Sequence, residues 1–262
     1  MTIGVFDSGL GGLTIVATML SHLRGADIIY IADTASAPYG EKSPDQIRDF
    51  SIRITDYLVS NYRIDALVVA CNTATSAAIA KLRERYPNLI IVGTEPGLKP
   101  AISHSVTKNV GVLATPATLN GEKYKALVAK LSEHYHVQVF EQPCPGLVQQ
   151  IEAGKVDTQE TLSMLEGWLS EMRDANVDTI VLGCTHYPLV KKSIEQVMHR
   201  AIIFIDSAEG VTKRLLTLLE QKGHINSGST TLEILTTGAI QSSMVESVLG
   251  DKFSIGMIKL PD

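Results

Sequence analysis

The sequence predicts an α/β protein of two similar, pseudo-symmetric domains, each a mainly parallel sheet flanked by helices. Three observations predict it. Short β-branched runs alternate with segments of helical periodicity almost from end to end, and the alternation starts afresh after Pro96-Gly97. Two of the apolar runs, Val68-Val69-Ala70 and Val181-Leu182-Gly183, lead directly into Cys71-Asn72-Thr73 and Cys184-Thr185-His186. The carboxyl end of a parallel strand is where open α/β sheets place ligands.

The first strand is Ile3-Gly4-Val5-Phe6, followed by a helical pattern from Leu13 to Leu23 and a second strand at Ile28-Ile29-Tyr30-Ile31. Ser43-Pro44-Asp45-Gln46 predicts a helix start, with Ser43 as cap, Pro44 in the first turn and Gln46 reaching back as in a capping box. Ile47, Phe50, Ile54 and Leu58 continue it at helical spacing. A strand over Ala66 to Ala70, an alanine-rich helix from Ala74 to Tyr86 and a strand at Ile90-Ile91-Val92 complete this half. The second half has strands at Val110 to Leu113, Val137 to Phe140, Thr179 to Leu182 and Ile202 to Ile205. Helices fit between them at Leu119 to Tyr135, Thr158 to Arg173 and Leu189 to His199. From Ala208 the chain adds a helix, a loop near Ser227-Gly228-Ser229 and a strand at Leu232 to Leu235. A loose internal duplication follows, with the cleft between its halves as the natural ligand site.

At 262 residues, 45% hydrophobic and 19% charged, the chain can bury a sizeable core in two domains. Three cysteines and no charged start or cleavage site of an export signal predict free thiols in a reducing cytoplasm. No apolar run approaches the ~18 residues of a membrane span. A net charge of −5 without a lysine and arginine cluster disfavours nucleic acid as partner. It leaves an anionic substrate open, because helix starts bind anions through backbone N–H groups.

A lone cysteine at a strand end is ordinarily a small buried hydrophobe. Here the company is polar in both places, and a structural strand end has little use for Asn72, Thr73, Thr185 and His186. Zinc ligands come in close pairs, and Cys71, Cys144 and Cys184 have no such spacing. Asp7-Ser8-Gly9-Leu10-Gly11-Gly12 follows the first strand, but Thr14 stands where a dinucleotide fingerprint needs its last glycine, and no Gly-Lys-Ser/Thr exists for a P-loop. What remains is a glycine-rich turn that lets a ligand approach the backbone, with an acid and a hydroxyl at its mouth. Two thiols facing one small molecule from opposite sides suit removal of a proton on one face and its return on the other. A thiol of pKa ~8.5 is a few per cent thiolate at neutral pH, so such a pair works asymmetrically, one thiolate and one thiol, exchanging states at each turnover. No lysine stands in a motif for a pyridoxal Schiff base, and neither organic cofactor nor metal is expected.

Taken together, Phe6-Asp7-Ser8-Gly9-Leu10-Gly11-Gly12, Pro38-Tyr39-Gly40, Ala70-Cys71-Asn72-Thr73-Ala74, Glu95-Pro96-Gly97, Gly183-Cys184-Thr185-His186-Tyr187-Pro188 and Ile205-Asp206-Ser207 resemble the glutamate racemases of the cofactor-independent aspartate/glutamate racemase superfamily. The resemblance implies that Cys71 and Cys184 are the acid/base thiols, assisted by Asp7, Glu152 and His186. It implies that Ser8, Pro38, Tyr39, Gly40, Asn72, Thr73, Thr115, Thr118 and Thr185 hold the substrate, beside those thiols and their helpers. It implies no cofactor, glutamate as small-molecule partner and a role in peptidoglycan synthesis; a homodimer is the expected assembly. The absence of an extension before the first strand argues, by the same resemblance, against activation by a cell-wall precursor. The carboxyl-terminal segment is expected to return to the first domain. The domains are then 1–97 with 208–262, carrying Asp7, Ser8 and Cys71, and 98–207, carrying Glu152, Cys184 and His186. The sequence departs from the family pattern at Gly93-Thr94 and around Thr236-Thr237-Gly238. A racemase for aspartate or for a broader set of amino acids, and a non-catalytic small-molecule binding protein, are the alternatives.

Overall fold

A computed structural model describes residues 1–250 and 253–261. Its elements in chain order are β1 (Thr2–Asp7), α1 (Leu13–His22), β2 (Asp27–Ala32), α2 (Pro44–Tyr62), β3 (Ala66–Val69), α3 (Asn72–Arg85), β4 (Ile90–Gly93), α4 (Leu98–His104), β5 (Asn109–Ala114), α5 (Pro116–Leu119), α6 (Glu122–Tyr135) and β6 (Gln138–Pro143). They continue with α7 (Leu147–Glu152), α8 (Gln159–Asp174), β7 (Thr179–Gly183), α9 (Lys191–Met198), β8 (Ile203–Ile205), α10 (Ala208–Gln221), β9 (Thr231–Thr236), α11 (Ser242–Leu249) and β10 (Ile255–Met257). Among the described residues no helix is long and apolar enough to cross a membrane.

The chain divides into two compact units, residues 1–94 with 208–262, and residues 95–207. Asp251, Lys252 and Asp262, within the stretch expected to complete the first domain, lie outside the described residues. Residues 95–97, expected with the first domain, belong to the second unit. Gly97 shows why: a Cβ there would lie 2.5 Å from Ile205 Cγ2, so this turn is packed onto the end of β8.

The first unit holds a six-stranded sheet in the order β10-β9-β2-β1-β3-β4, the second a four-stranded sheet in the order β6-β5-β7-β8. Every pairing in both is parallel. The run β2-β1-β3-β4 of the first sheet is repeated, strand for strand, as β6-β5-β7-β8, which is the structural form of the duplication. Strands covered on both faces carry continuous apolar runs rather than alternating ones, and β3 is buried at all four positions. On one face of the first sheet, Phe6, Ile31, Leu67 and Val69 pack against Ile47, Ile54 and Leu58 of α2 and Ala74, Ala78 and Leu82 of α3. In the second unit Val110, Val112 and Val181 pack against Leu98 and Ile102 of α4 and Tyr124 and Leu131 of α6.

Several elements differ from the sequence expectation for local reasons. The helix expected over Leu119 to Tyr135 is two, because Thr115 caps α5 and Gly121 opens into an extended conformation before α6. The helix expected from Leu189 starts as a 3-10 turn, Tyr187–Val190, before α9. Pro188 lies inside that turn and has no N–H to donate. Helices α4, α7 and α11 and strand β10 span 7, 6, 8 and 3 residues, too short for periodicity to declare them.

The start of α2 follows the expected pattern closely. Ser43 Oγ accepts from Gln46 N–H at 3.3 Å, and Gln46 Oε1 accepts from Ser43 N–H at 3.0 Å. Ser43→Ala removes the side-chain half of this box and is expected to cost about 1 kcal/mol in urea denaturation, with Ser43→Asp recovering most of it.

Candidate active site

In the two sheets the strand order reverses between β1 and β3 and between β5 and β7, since the second strand of each lies on one side of the first and the third on the other. The carboxyl ends that flank such a switch point bound a crevice into which no connection folds back. The residues leaving β1, β3, β5 and β7 are Asp7-Ser8, Cys71-Asn72-Thr73, Thr115 and Cys184-Thr185-His186. The two catalytic candidates therefore follow equivalent strands, the third of each repeat.

In the first unit Phe6 is opposite Val69, which sets the ends of β1 and β3 side by side. Asp7 is fully buried and its Oδ2 accepts from Gly12 N–H at 2.9 Å. Glycine is required at position 12, where a Cβ would stand 2.8 Å from Asp7 Cβ and 3.1 Å from Ala70 Cβ. The thiol of Cys71 reaches Ser8 Oγ at 3.9 Å, and Ala74 N–H donates to its sulfur at 3.4 Å. Cys71 is thus the cap of α3, whose positive end points at the sulfur. Asn72 and Thr73 lie in the first turn of α3, so this helix begins before Thr73. Asn72 is buried, and both polar atoms of its side chain have no partner among the described residues. A buried amide of that kind calls for a group from outside the chain.

The segment after β2 brings the third part of this cluster. Pro38 and Gly40 are half-buried and Tyr39 is buried, on a 3-10 turn over Tyr39–Glu41. The Tyr39 hydroxyl donates to Asp33 Oδ2 at 2.6 Å, and Asp33 Oδ1 accepts from the Thr237 hydroxyl at 2.8 Å. Burial, and then the neighbouring Asp33 carboxylate, push the Tyr39 phenol well above its ordinary range, so it remains a donor. Asp33 was not among the residues singled out from sequence. Its signal is positional: it leaves β2 as Asp7 leaves β1.

In the second unit the thiol of Cys184 lies 3.7 Å from His186 Nδ1, and His186 Nε2 lies 2.7 Å from Glu152 Oε1. His186 is buried, while Glu152, the last residue of α7, is half-buried. A carboxylate on Nε2 orients the ring and leaves Nδ1 to exchange a proton with sulfur. Thr115 and Thr118 join through their hydroxyls at 3.0 Å, both buried. The 3-10 turn that follows Thr185 bonds Tyr187 N–H to Cys184 O at 3.1 Å and Leu189 N–H to His186 O at 3.1 Å. Cys144 leaves β6, is buried, and donates to Gln142 O at 3.5 Å. Its thiol is pushed up to about 12, first by burial and then by Cys184, so it stays protonated. Among the described residues, no three or more of His, Cys, Asp and Glu are grouped so as to hold a metal ion.

Each repeat of this duplicated parallel α/β fold therefore ends its third strand in a thiol with polar partners. The model of the Asp/Glu/hydantoin racemase family matches residues 3–214. The chain belongs to that family and is an amino-acid racemase, an isomerase. A glutamate racemase from Sulfurovum sp. (strain NBC37-1) is 55% identical over 249 residues, 95% of this chain and 94% of its own. A glutamate racemase isoform from Bacillus anthracis has the same fold, with a TM-score of 0.87 and 31% identity over 99% of this chain and 98% of its own. Glutamate racemase from Francisella tularensis, solved in complex with D-glutamate, gives 0.83 and 31% over 98% and 97%.

The raised thiol of Cys144 has a consequence for stability. An acid whose pKa rises on folding keeps its proton in the native state while the unfolded chain loses it, so stability is full below the unfolded value and falls above it. Between pH 9 and pH 12 Cys144 should contribute a decline of up to about 1.4 kcal/mol per pH unit. Tyr39 and Tyr187, both raised first by burial, add to it above pH 10. Urea titrations at pH 8.5 and 10.5 should show a smaller loss in Cys144→Ala than in the parent protein.

Proposed function

We propose that this racemase interconverts L- and D-glutamate without a cofactor, through Cys71 and Cys184 as two acid/base groups, and supplies D-glutamate for peptidoglycan in the cytoplasm. The observation that carries the reading is the pair of thiols at the ends of β3 and β7, each with its own proton-handling partners. The D-glutamate held by the Francisella relative supports the choice of substrate. Buried Asn72, whose amide calls for an outside partner, supports a polar ligand at the Cys71 end.

In the L-to-D direction the Cys184 thiolate takes the α-proton and the Cys71 thiol gives its own proton to the opposite face of Cα. The product leaves Cys184 as thiol and Cys71 as thiolate, the state that serves D-glutamate. His186, held by Glu152, manages the proton at Cys184, and Asp7 manages that at Cys71. Ser8, Pro38, Tyr39, Gly40, Asn72, Thr73, Thr115, Thr118 and Thr185 hold the carboxylates and the amino group. Fixed donors at the substrate carboxylate also stabilise the charge that develops as the proton leaves.

Enzyme turning over in deuterated water should place deuterium on the product enantiomer at early times, in both directions. Equal early labelling of recovered substrate would sink the two-base reading. Cys71→Ser and Cys184→Ser should each lose racemisation roughly 10²–10⁴-fold. Each should still eliminate halide from a β-chloro analogue, with opposite enantiomer preference, because elimination needs one abstraction only. Parallel incubations with L- and D-aspartate test the substrate.

The helpers should act unequally. Equilibrium between mirror images is fixed at one, so no variant alters the ratio of kcat/KM in the two directions; asymmetry appears in kcat, KM and isotope effects. His186→Asn should enlarge the primary effect of α-deuterated L-glutamate, and Asp7→Asn that of the D-isomer. Indistinguishable effects in the two variants would remove the assignment of one helper to each thiol.

A further inference from the structure

We infer that Thr237 is a positioning residue for the racemase reaction: with Asp33 it clamps the buried side chain of Tyr39 and so fixes the Pro38-Tyr39-Gly40 turn. The inference rests on the proposed reading in one respect, that this turn binds substrate.

Parallel pairing of β9 with β2 sets Thr236 opposite Ala32, and Thr237 N–H donates to Ala32 O at 3.0 Å. The Thr237 hydroxyl is therefore delivered beside the residues that leave β2. It accepts from Ala35 N–H at 3.0 Å, which leaves its own proton for Asp33 Oδ1 at 2.8 Å. The other carboxylate oxygen accepts from the Tyr39 hydroxyl at 2.6 Å. Thr34 and Thr236 meet through their hydroxyls at 2.9 Å, a second tie between the same two strand ends. The chain Ala35 N–H to Thr237 to Asp33 is thus directional, and Tyr39 closes it from the far side.

Tyr39 and Asp33 are 1% and 2% exposed and Thr237 is half-buried, so the Tyr39 end of the clamp is closed to water. An unpaired buried carboxylate oxygen is among the costlier defects a fold can carry. Two strands that are distant in sequence are involved, and only their pairing makes Thr237 a neighbour of the turn. The hydroxyl of Tyr39 is engaged with Asp33, so the anchor acts on where the turn sits. The role assigned to Thr237 is ground-state placement of the substrate and not proton transfer.

The test is steady-state racemisation in both directions by Thr237→Val, Thr237→Ser, Asp33→Asn, Tyr39→Phe and the Thr237→Val/Tyr39→Phe double variant. Thr237→Val should raise KM for L- and D-glutamate about tenfold, the scale of a hydrogen bond to a charged group, with kcat changed by no more than about twofold. Thr237→Ser keeps the hydroxyl and should restore KM to within about twofold of the parent. The carboxamide introduced by Asp33→Asn can accept from Tyr39 and donate to the Thr237 hydroxyl, so this variant should raise KM by less than about threefold. Breaking one chain twice costs little more than breaking it once, so the double variant should match the poorer single one. An unchanged KM in Thr237→Val, a Thr237→Ser variant as poor as Thr237→Val, or fully additive losses overturns the inference. Should Thr237→Val not fold, Thr237→Ala takes its place: a raised KM that Thr237→Ser spares supports the clamp, and an unchanged KM overturns it. If Cys71→Ser and Cys184→Ser abolish racemisation while Thr237→Val leaves KM alone, only the clamp falls. If either cysteine proves dispensable, the proposed mechanism falls and the clamp is judged on KM as before.

Discussion

Parallel pairing at the switch points is the constraint on which the rest depends. Because β1 and β3 run in register side by side, the residue after each strand emerges at the same edge of the sheet, and the same holds for β5 and β7. No connection crosses that edge between the two strands, so backbone and side-chain polar groups there can be buried by the fold and still offered to a ligand. Asp7, Ser8, Cys71, Asn72 and Thr73 are gathered by this rule alone. Thr115, Cys184, Thr185 and His186 are gathered by its repetition in the second sheet.

The surroundings of the three thiols differ. Cys71 stands at a helix start with an N–H on its sulfur, and Cys184 faces an imidazole that a carboxylate holds from behind. Cys144 has a backbone carbonyl as acceptor, and burial keeps its proton in place. A thiol that gives up its proton needs a nearby group to stabilise the change of charge, and a thiol without one behaves as a small apolar side chain. Strand-end position, common to all three, does not separate them; the polar neighbours do.

The carboxyl-terminal stretch serves the first unit in a second way besides packing. By adding β9 beside β2 it turns what would be an edge strand into an interior one, and it brings Thr236 and Thr237 to the segment that carries Tyr39. The Thr34–Thr236 hydroxyl pair holds the two strand ends together here, and Gly238 N–H bonds back to Thr236 Oγ1 at 3.3 Å.

What the sequence determined by itself was everything with a local cause. The apolar runs of β1, β3, β5 and β7 declare strands, the Ser43 to Gln46 box declares the start of α2, and the polar residues after Val69 and Gly183 mark two strand ends as unlike ordinary ones. Short elements had no such cause to show: α4, α7 and α11 offer too few turns for a period, and β10 has three residues. Tertiary structure decided what depends on partners distant in the chain. Glu152 meets His186 across 34 residues, and Thr237 meets Asp33 across 204, through side chains whose local sequence carries no trace of the other. Hydrophobic periodicity records which face of an element is buried; it does not record which strand will lie alongside, because that choice belongs to the packing of the whole sheet.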